Sequence, residues 1–215
     1  MSLYKPSPSP EGQPPDPLAR LGLISELLTE ARGRAQHDVN ECTQLDPPGA
    51  RGQIRHIRTV RYLRELTIPL GWRPDDSGNV ASTVSPDGLI AIVVTAGDDS
   101  TGLNHRNPKT KYPKGEVTHR RVMDNVQLNL FVDALAALEN EKSKPERTTW
   151  VLLQNQMGNV VRAELSCPNG FDESGRINEW SDRLILPDLI LDTNDVWNDN
   201  DDQGDDGFDV PVIPR

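Results

Sequence analysis

The run Leu89-Ile-Ala-Ile-Val-Val-Thr-Ala96 breaks at Gly97 into Asp98-Asp99-Ser100-Thr101-Gly102. Eight mostly apolar, β-branched-rich residues bounded by turn signals read as a buried strand. On its N-terminal side, Ser85-Pro86-Asp87-Gly88 carries proline second and glycine fourth, the pattern of a type I turn. Val80 to Val84 then becomes the partner strand, and residues 79–96 form a hairpin. The tetrapeptide also resembles a β-propeller blade turn, but it occurs once and without a repeat. On the C-terminal side lies a polar loop, His105-Arg-Asn-Pro-Lys-Thr-Lys-Tyr-Pro-Lys-Gly115. A helix follows from Thr118, with Met123, Val126, Leu130, Ala134 and Ala137 at helical steps, Phe131 and Leu138 widening the stripe, and an end near Asn140. A buried strand that delivers a stiff charged loop is a common way for a scaffold to present functional groups.

Further out, Thr148 to Leu153 and Val160 to Ser166 read as a second hairpin around Gln156-Met-Gly-Asn159. In its second strand Val161, Ala163 and Leu165 alternate with Arg162, Glu164 and Ser166, which predicts one wet face. Cys167-Pro-Asn-Gly170 closes that strand. Trp180, Leu184 to Leu186 and Leu189 to Leu191 form a last apolar cluster, a short helix or strand interrupted at Pro187. Near the N-terminus, Asp16-Pro17 reads as an N-cap and first helical residue. Leu21, Ile24, Leu28 and Ala31 follow at helical spacing, with an end near Gly33. A second helix spans Ala50 to Leu66, with Arg51, Arg55 and Arg58 on one side and Ile54, Ile57, Val60 and Leu63 on the other. Arg61 and Arg64 fall towards the apolar side and must snorkel or pair. The loop between these helices is too long for a helix-turn-helix. The predicted class is α+β: two N-terminal helices, then an antiparallel sheet made from two β-hairpins that flank one central helix.

The 215 residues include 18 prolines and 16 glycines with only 35% hydrophobic residues, too lean for a chain folded from end to end. Residues 1–16 are expected to be a disordered Pro-rich arm, 17–191 a single domain, and 192–215 an acidic disordered tail. Net charge is −10. Its distribution is uneven: residues 1–50 carry −3, residues 51–121 carry +5 and residues 122–215 carry −12. A basic middle with an acidic end points to an interaction surface and a tail. Cys42 and Cys167 belong to no metal or redox motif and fit two inert thiols in a reducing compartment. No signal-peptide core and no membrane-length apolar run is present. The expected location is cytoplasmic.

Between His105 and Arg121 stand Arg106, Lys109, Lys111, Lys114, Arg120 and Arg121 against Glu116 alone. Such a cluster makes a local positive field even in an acidic protein. Tyr112 and the arginines could stack on bases while lysines contact phosphates. Arg120 and Arg121 oppose the dipole of the helix they begin, a misfit that a bound anion would relieve. With Arg51, Arg55 and Arg58, these residues form the predicted anion or nucleic-acid site; a solvated loop without a ligand is the plain alternative. Asp98 and Asp99 form a second constellation that could hold Mg²⁺, although no third carboxylate stands at a recognisable spacing. Pro86-Asp87 begins like a nuclease carboxylate motif, but no Glu-x-Lys follows on a second strand. The four histidines, His56 among them, read as surface or capping residues. No Walker, Gly-x-Gly-x-x-Gly or Gly-x-Ser-x-Gly motif occurs.

Three functions follow, in this order. The first is a non-enzymatic binding protein whose basic middle engages nucleic acid or another polyanion and is modulated by the acidic tail. The second is an adaptor that docks a larger complex through that tail, with Phe208 and Val210 as anchors. The third is a metal-dependent phosphate-processing enzyme centred on Asp98 and Asp99. The lack of a complete catalytic constellation places the enzyme last.

Overall fold

The computed structural model describes residues 16–135 and 147–191, and the backbone alone over 129–135. The three helices are α1 (Ser25–Asn40), α2 (Ala50–Thr67) and α3 (Glu116–Leu135). The strands are β1 (Arg73–Asp75), β2 (Ser82–Val84), β3 (Ile90–Ala96), β4 (Thr148–Met157), β5 (Val160–Phe171), β6 (Ile177–Ile185) and β7 (Leu189–Ile190). They form one mixed sheet in the order β1-β2-β3-β4-β5-β6, with β7 pairing alongside β5.

The apolar run centred on Ile92 is the sheet's buried axis. Ile92 and Val94 pack with Trp150 and Leu152 of β4 against α1 and α2. Val93 turns the other way, with Val151 and Leu153, to meet Val122 of α3. Helices therefore cover both faces, and that is why this strand is continuously apolar. The expected hairpin of β2 and β3 is present, with Gly88 N–H closing the turn onto the Ser85 carbonyl at 3.0 Å. The all-antiparallel sheet is not. β3 and β4 run parallel, Ile90 opposite Thr148 through Ala96 opposite Gln154. Parallel neighbours need a crossover, and α3 lies on that connection.

Several boundaries moved for identifiable reasons. Asp16 is not the N-cap of a helix beginning at Pro17; α1 starts nine residues later, after Ile24, and Asp16 bonds its first residue from outside the helix. Its carboxylate accepts from Leu18 N at 2.9 Å, Ser25 N at 2.6 Å and Ser25 Oγ at 2.9 Å, while residues 19–21 form a 3₁₀ turn ended by Gly22 at φ +68°. Helix α1 passes through Gly33 to Asn40. An interior glycine costs about 1 kcal/mol relative to alanine, which the burial of Ala35, Gln36 and Val39 beyond it outweighs. Arg32 is buried despite its charge and donates to the carbonyls of Pro187 (3.0 Å) and Val161 (2.9 Å), tying the C-terminal strand to α1. On α2, Ile57 is exposed, and Thr59, Val60, Leu63 and Thr67 form the buried stripe. Arg64 snorkels as expected, donating to the Ser82 carbonyl at 3.0 Å and to Asp76.

Strand β5 runs past Ser166 to Phe171, with register shifts at Pro168 and Gly170 that accommodate the proline. Its predicted wet face is closed: Glu164 and Ser166 are fully buried. The last apolar cluster is strand, β6 and β7, on either side of Pro187. The Pro-rich arm, the end of the third helix and the acidic tail lie outside the described residues. Among the described residues, no helix is long and apolar enough to cross a membrane. Cys42 and Cys167 are buried free thiols whose pKa burial pushes up.

Candidate functional site at the ends of β3 and β4

Because β3 and β4 are parallel, their carboxyl ends finish together, and the chain leaves each as a polar stretch. From β3 it continues into Gly97-Asp98-Asp99-Ser100; β4 ends in Gln154-Asn155-Gln156. The N-terminal half of α2 passes above these ends. A cleft of about 810 Å³ opens between them. Crevices outside the carboxyl ends of parallel strands are where sheets of this kind take ligands.

Each wall is fixed by its own bonds. Asp98 Oδ1 accepts from Ser100 N at 3.0 Å, and the Asp98 carbonyl accepts from Thr101 N at 3.0 Å, folding the strand end into a tight turn. Gly97 is required there: a Cβ would meet Thr101 Oγ1 at 2.1 Å. Asp99 accepts from Asn155 Nδ2 at 3.1 Å, joining the two strand ends. Gln154 donates to Thr59 Oγ1 of α2 at 3.1 Å, which sets the depth of the floor. Arg55 donates to Gln36 Oε1 at 3.3 Å and to Gln156 Oε1, spanning α1, α2 and β4. Lys111 and Tyr112 line the opposite side. Lys111 lies over the Tyr112 ring, 5.6 Å from its centroid.

The charged loop is held down along its length. Gly102 N–H donates to Glu164 at 2.8 Å. Arg183 donates to both oxygens of that carboxylate, at 2.9 and 2.6 Å, and also to the carbonyls of Leu103 (3.2 Å) and Arg106 (2.7 Å). Trp180 Nε1 donates to the Pro108 carbonyl at 2.9 Å, and Lys114 N to the Gly175 carbonyl at 2.9 Å. Glu164 and Arg183 thus anchor the loop on the α3 face of the sheet, which is why the alternating strand is covered at Glu164 and Ser166 and partly open only at Arg162.

This anchoring sorts the predicted site residues. Arg55, Asp98, Asp99, Lys111 and Tyr112 share the cleft. Lys114 is outside the cleft lining, its ammonium donating to Thr95 Oγ1 at 2.5 Å. Arg51 donates to the Cys42 carbonyl at 3.3 Å near the start of α2. The others point elsewhere. Arg58 pairs with Asp38 at 2.9 Å, Lys109 with Asp172 at 3.2 Å, and Arg120 with Glu116 at 3.7 Å. Arg121 donates to the Ser77 carbonyl at 3.0 Å and to Ser82 Oγ at 3.4 Å, beside β2. Arg106 is exposed on the anchored loop. The arginines at the start of α3 therefore find protein acceptors, which offsets their misfit with the helix dipole. Phe208 and Val210 lie outside the described residues. No group of three or more His, Cys, Asp or Glu side chains among the described residues could hold a metal ion, so Asp98 and Asp99 stand as a pair.

His56, expected as a surface or capping residue, Gln156, expected in a turn, and the unremarked Gln53, Gln154 and Asn155 also line the cleft. A usable signal was present: two apolar strands that each end in consecutive polar residues converge on one site once the strands are parallel. His56 reaches solvent, yet it sits in a crowded mouth. Desolvation and then the Lys114 ammonium lower its pKa from the ordinary histidine value. Burial alone brings Lys114 down to about 8.

No family model matches this chain, and neither a curated protein nor a solved structure matches it.

Proposed function

We propose that this is a non-enzymatic binding protein that takes a segment of nucleic acid, or of another polyanion, into the cleft between α2 and the ends of β3 and β4. The observation that carries the reading is the shared lining of that cleft: Arg55 from one wall, Lys111 and Tyr112 from the other, and strand-end amides between them. Guanidinium and ammonium groups suit phosphate, the Tyr112 ring offers a stacking surface, and amides can bond base edges. The remaining cations of the middle region supply a diffuse field that aids encounter. The acidic segment 192–215 then acts as a competitor. Leu191, the last described residue before that segment, donates its N–H to the Asn159 carbonyl at 2.8 Å, three residues along from Gln156 of the cleft.

Fluorescence anisotropy with a labelled single-stranded oligonucleotide at low salt tests this. Arg55→Gln with Lys111→Gln should weaken binding at least about tenfold, the scale of losing charge-assisted contacts. Arg120→Gln with Arg121→Gln should change it little, and truncation after Leu191 should tighten it. Absence of binding by both the full and the truncated chain at low salt sinks the reading, as does equal loss in the two double variants.

A second reading is favoured by one observation: Asp98 and Asp99 line the same cleft as these cations, so a phosphate-processing site with Mg²⁺ is its natural form. Calorimetric Mg²⁺ and Mn²⁺ titrations of the native chain and of Asp98→Asn separate the two. Unchanged affinity removes the metal.

A further inference from the structure

The hydrogen bonds at the strand ends leave the cleft one-sided. Gln154, Asn155 and Gln156 each turn the amide nitrogen to the protein: Gln154 Nε2 to Thr59 Oγ1, Asn155 Nδ2 to Asp99 Oδ1 and Gln156 Nε2 to the Gly158 carbonyl, all at 3.1 Å. The Gln156 oxygen is taken by Arg55, so this side chain is a brace. The oxygens of Gln154 and Asn155 accept from no described residue. Gln154 is only 5% exposed and lines the cleft, so its oxygen is a buried acceptor left unmet. Asp98 Oδ1 is met by Ser100 N and Asp99 Oδ1 by Asn155, but the second oxygen of each carboxylate accepts from no described residue. Thr95 Oγ1 accepts from Lys114 Nζ, which leaves its hydroxyl proton to donate. Nearer solvent, Ile57 is 60% exposed and Tyr112 38%; the two come from different elements and both line the cleft.

Several unmet acceptors, a hydroxyl donor and two apolar faces suit a planar ring whose edge carries adjacent N–H donors beside a carbonyl. Guanine has that edge: N1–H and the 2-amino group stand side by side, with O6 next to N1. Thymine and uracil offer a single N–H between two carbonyls, and adenine and cytosine an amino group beside an acceptor nitrogen. We propose that the cleft reads guanine in single-stranded nucleic acid. The base lies between Ile57 and Tyr112, its N1–H and 2-amino groups donate to an aspartate of the 98–99 pair and to Gln154, and its O6 accepts from Thr95. The inference deepens the polyanion reading and rests on it: Arg55 and Lys111 hold flanking phosphates, and the strand ends choose the base. A polyanion without bases would engage those cations and leave the buried Gln154 oxygen unmet, which carries a desolvation penalty.

Fluorescence anisotropy of the full chain at low salt tests this with a labelled oligothymidylate and two strands of the same length. In these, isolated thymines are replaced by guanine or by hypoxanthine, which lacks the 2-amino group. Charge is equal in all three strands, so a difference in affinity reports the base. The guanine strand should bind at least about fivefold tighter than oligothymidylate, the lower end of what a bidentate base contact discriminates. Hypoxanthine should lose most of that gain. Asp98→Asn with Asp99→Asn keeps an acceptor oxygen for Ser100 N but removes both carboxylates. This variant should bind guanine and thymine strands equally, with unchanged circular dichroism. Equal affinity of the native chain for guanine and thymine strands overturns the proposal and leaves a site that senses charge alone. A guanine preference that survives in hypoxanthine or in the double aspartate variant overturns it too. Failure of every strand to bind removes the polyanion reading, and this inference with it.

Discussion

The two faces of the sheet are finished differently at the point where β3 and β4 end. On the α3 face, the segment from Gly97 to Gly115 lies flat over β5 and β6, pinned by a buried carboxylate–guanidinium pair. On the α2 face, the same strand ends stay uncovered and form a cleft. One loop thus seals one side and walls the other. The comparison teaches that charge in this loop has two uses. Lys109, paired with Asp172 at 3.2 Å, ties the loop to the β5–β6 turn, whereas Lys111 lines the cleft. The dense cations that made the loop conspicuous in the sequence are divided between these tasks.

Breaking the sealed side should have the largest effect. Glu164 is fully buried and accepts from Gly102, Ser166 and Arg183. Glu164→Ala strands the Arg183 guanidinium and should cost about 3–5 kcal/mol in urea unfolding. Replacing both partners, Glu164→Leu with Arg183→Leu, should recover much of that loss, because the pair's main cost is leaving one charge alone. A loss below about 1 kcal/mol for Glu164→Ala, no more than an ordinary hydrogen bond, would mean that the pair does not hold the loop.

Next comes the hinge between the two sides. Gly97→Ala drives a methyl group into Thr101 Oγ1 and close to Leu153. Overpacking of this kind costs about 1–3 kcal/mol. Thr101→Ala in the same chain should restore most of it, since Thr101 Oγ1 is buried without a hydrogen-bond partner and its removal breaks nothing. Denaturant midpoints of the single and double variants provide the check.

At Lys114 the sign reverses. A lysine with a folded-state value near 8 and an ordinary unfolded value binds more protons when unfolded, so it opposes folding at neutral pH. That penalty is relieved as pH rises from about 8 to about 10.4, where the unfolded amine also deprotonates. Lys114→Met should therefore stabilise the protein at pH 7, by about 1–3 kcal/mol, with a gain that shrinks towards pH 10. Thermal melts across that range would show it. A destabilised Lys114→Met at pH 7 would place the worth of this lysine in its bond to Thr95.

How much of this could be read from residues alone depended on whether the information was local. The Ser85–Gly88 turn, the β2–β3 hairpin and the extent of α2 were legible, because turn chemistry and helical period act within a few residues. The cleft was only half legible. Asp98, Asp99, Lys111 and Tyr112 were marked by proximity to the strand end. Joining them to Arg55 and to Gln154–Gln156 required knowing that β3 and β4 are parallel, a non-local fact. Glu164 illustrates the opposite error. Its alternation with Ala163 and Leu165 is the signature of a half-exposed strand, and only the distant Gly102 and Arg183 turn that position inward. Asp16 reads as an N-cap at Pro17, but α1 begins only after an intervening 3₁₀ turn that local rules did not resolve.

The smallest effect belongs to the rim of the sealed side, where charge is exposed. Asp172 accepts from Ser174 Oγ at 2.6 Å, from the backbone N–H groups of Ser174 and Arg176 at 3.0 Å, and from Lys109 Nζ at 3.2 Å. The Ser174 hydroxyl first, then the Arg176 amide, hold its carboxyl well below the usual aspartate range. A carboxylate with a depressed folded value stabilises at pH above the unfolded value, and that contribution fades as acid protonates the folded form. Asp172→Asn should therefore lower the melting temperature slightly at pH 7, with the gap to the native chain closing as pH falls from about 4 towards 2. The three bonds to Oδ1 can survive on the amide oxygen, only the Lys109 contact to Oδ2 is lost, and screening by solvent limits its worth. A deficit for Asp172→Asn at pH 7 as large as that of Glu164→Ala would move the anchor of the loop from the buried pair to the β5–β6 turn, and the contrast between a sealed interior and an expendable rim would fall.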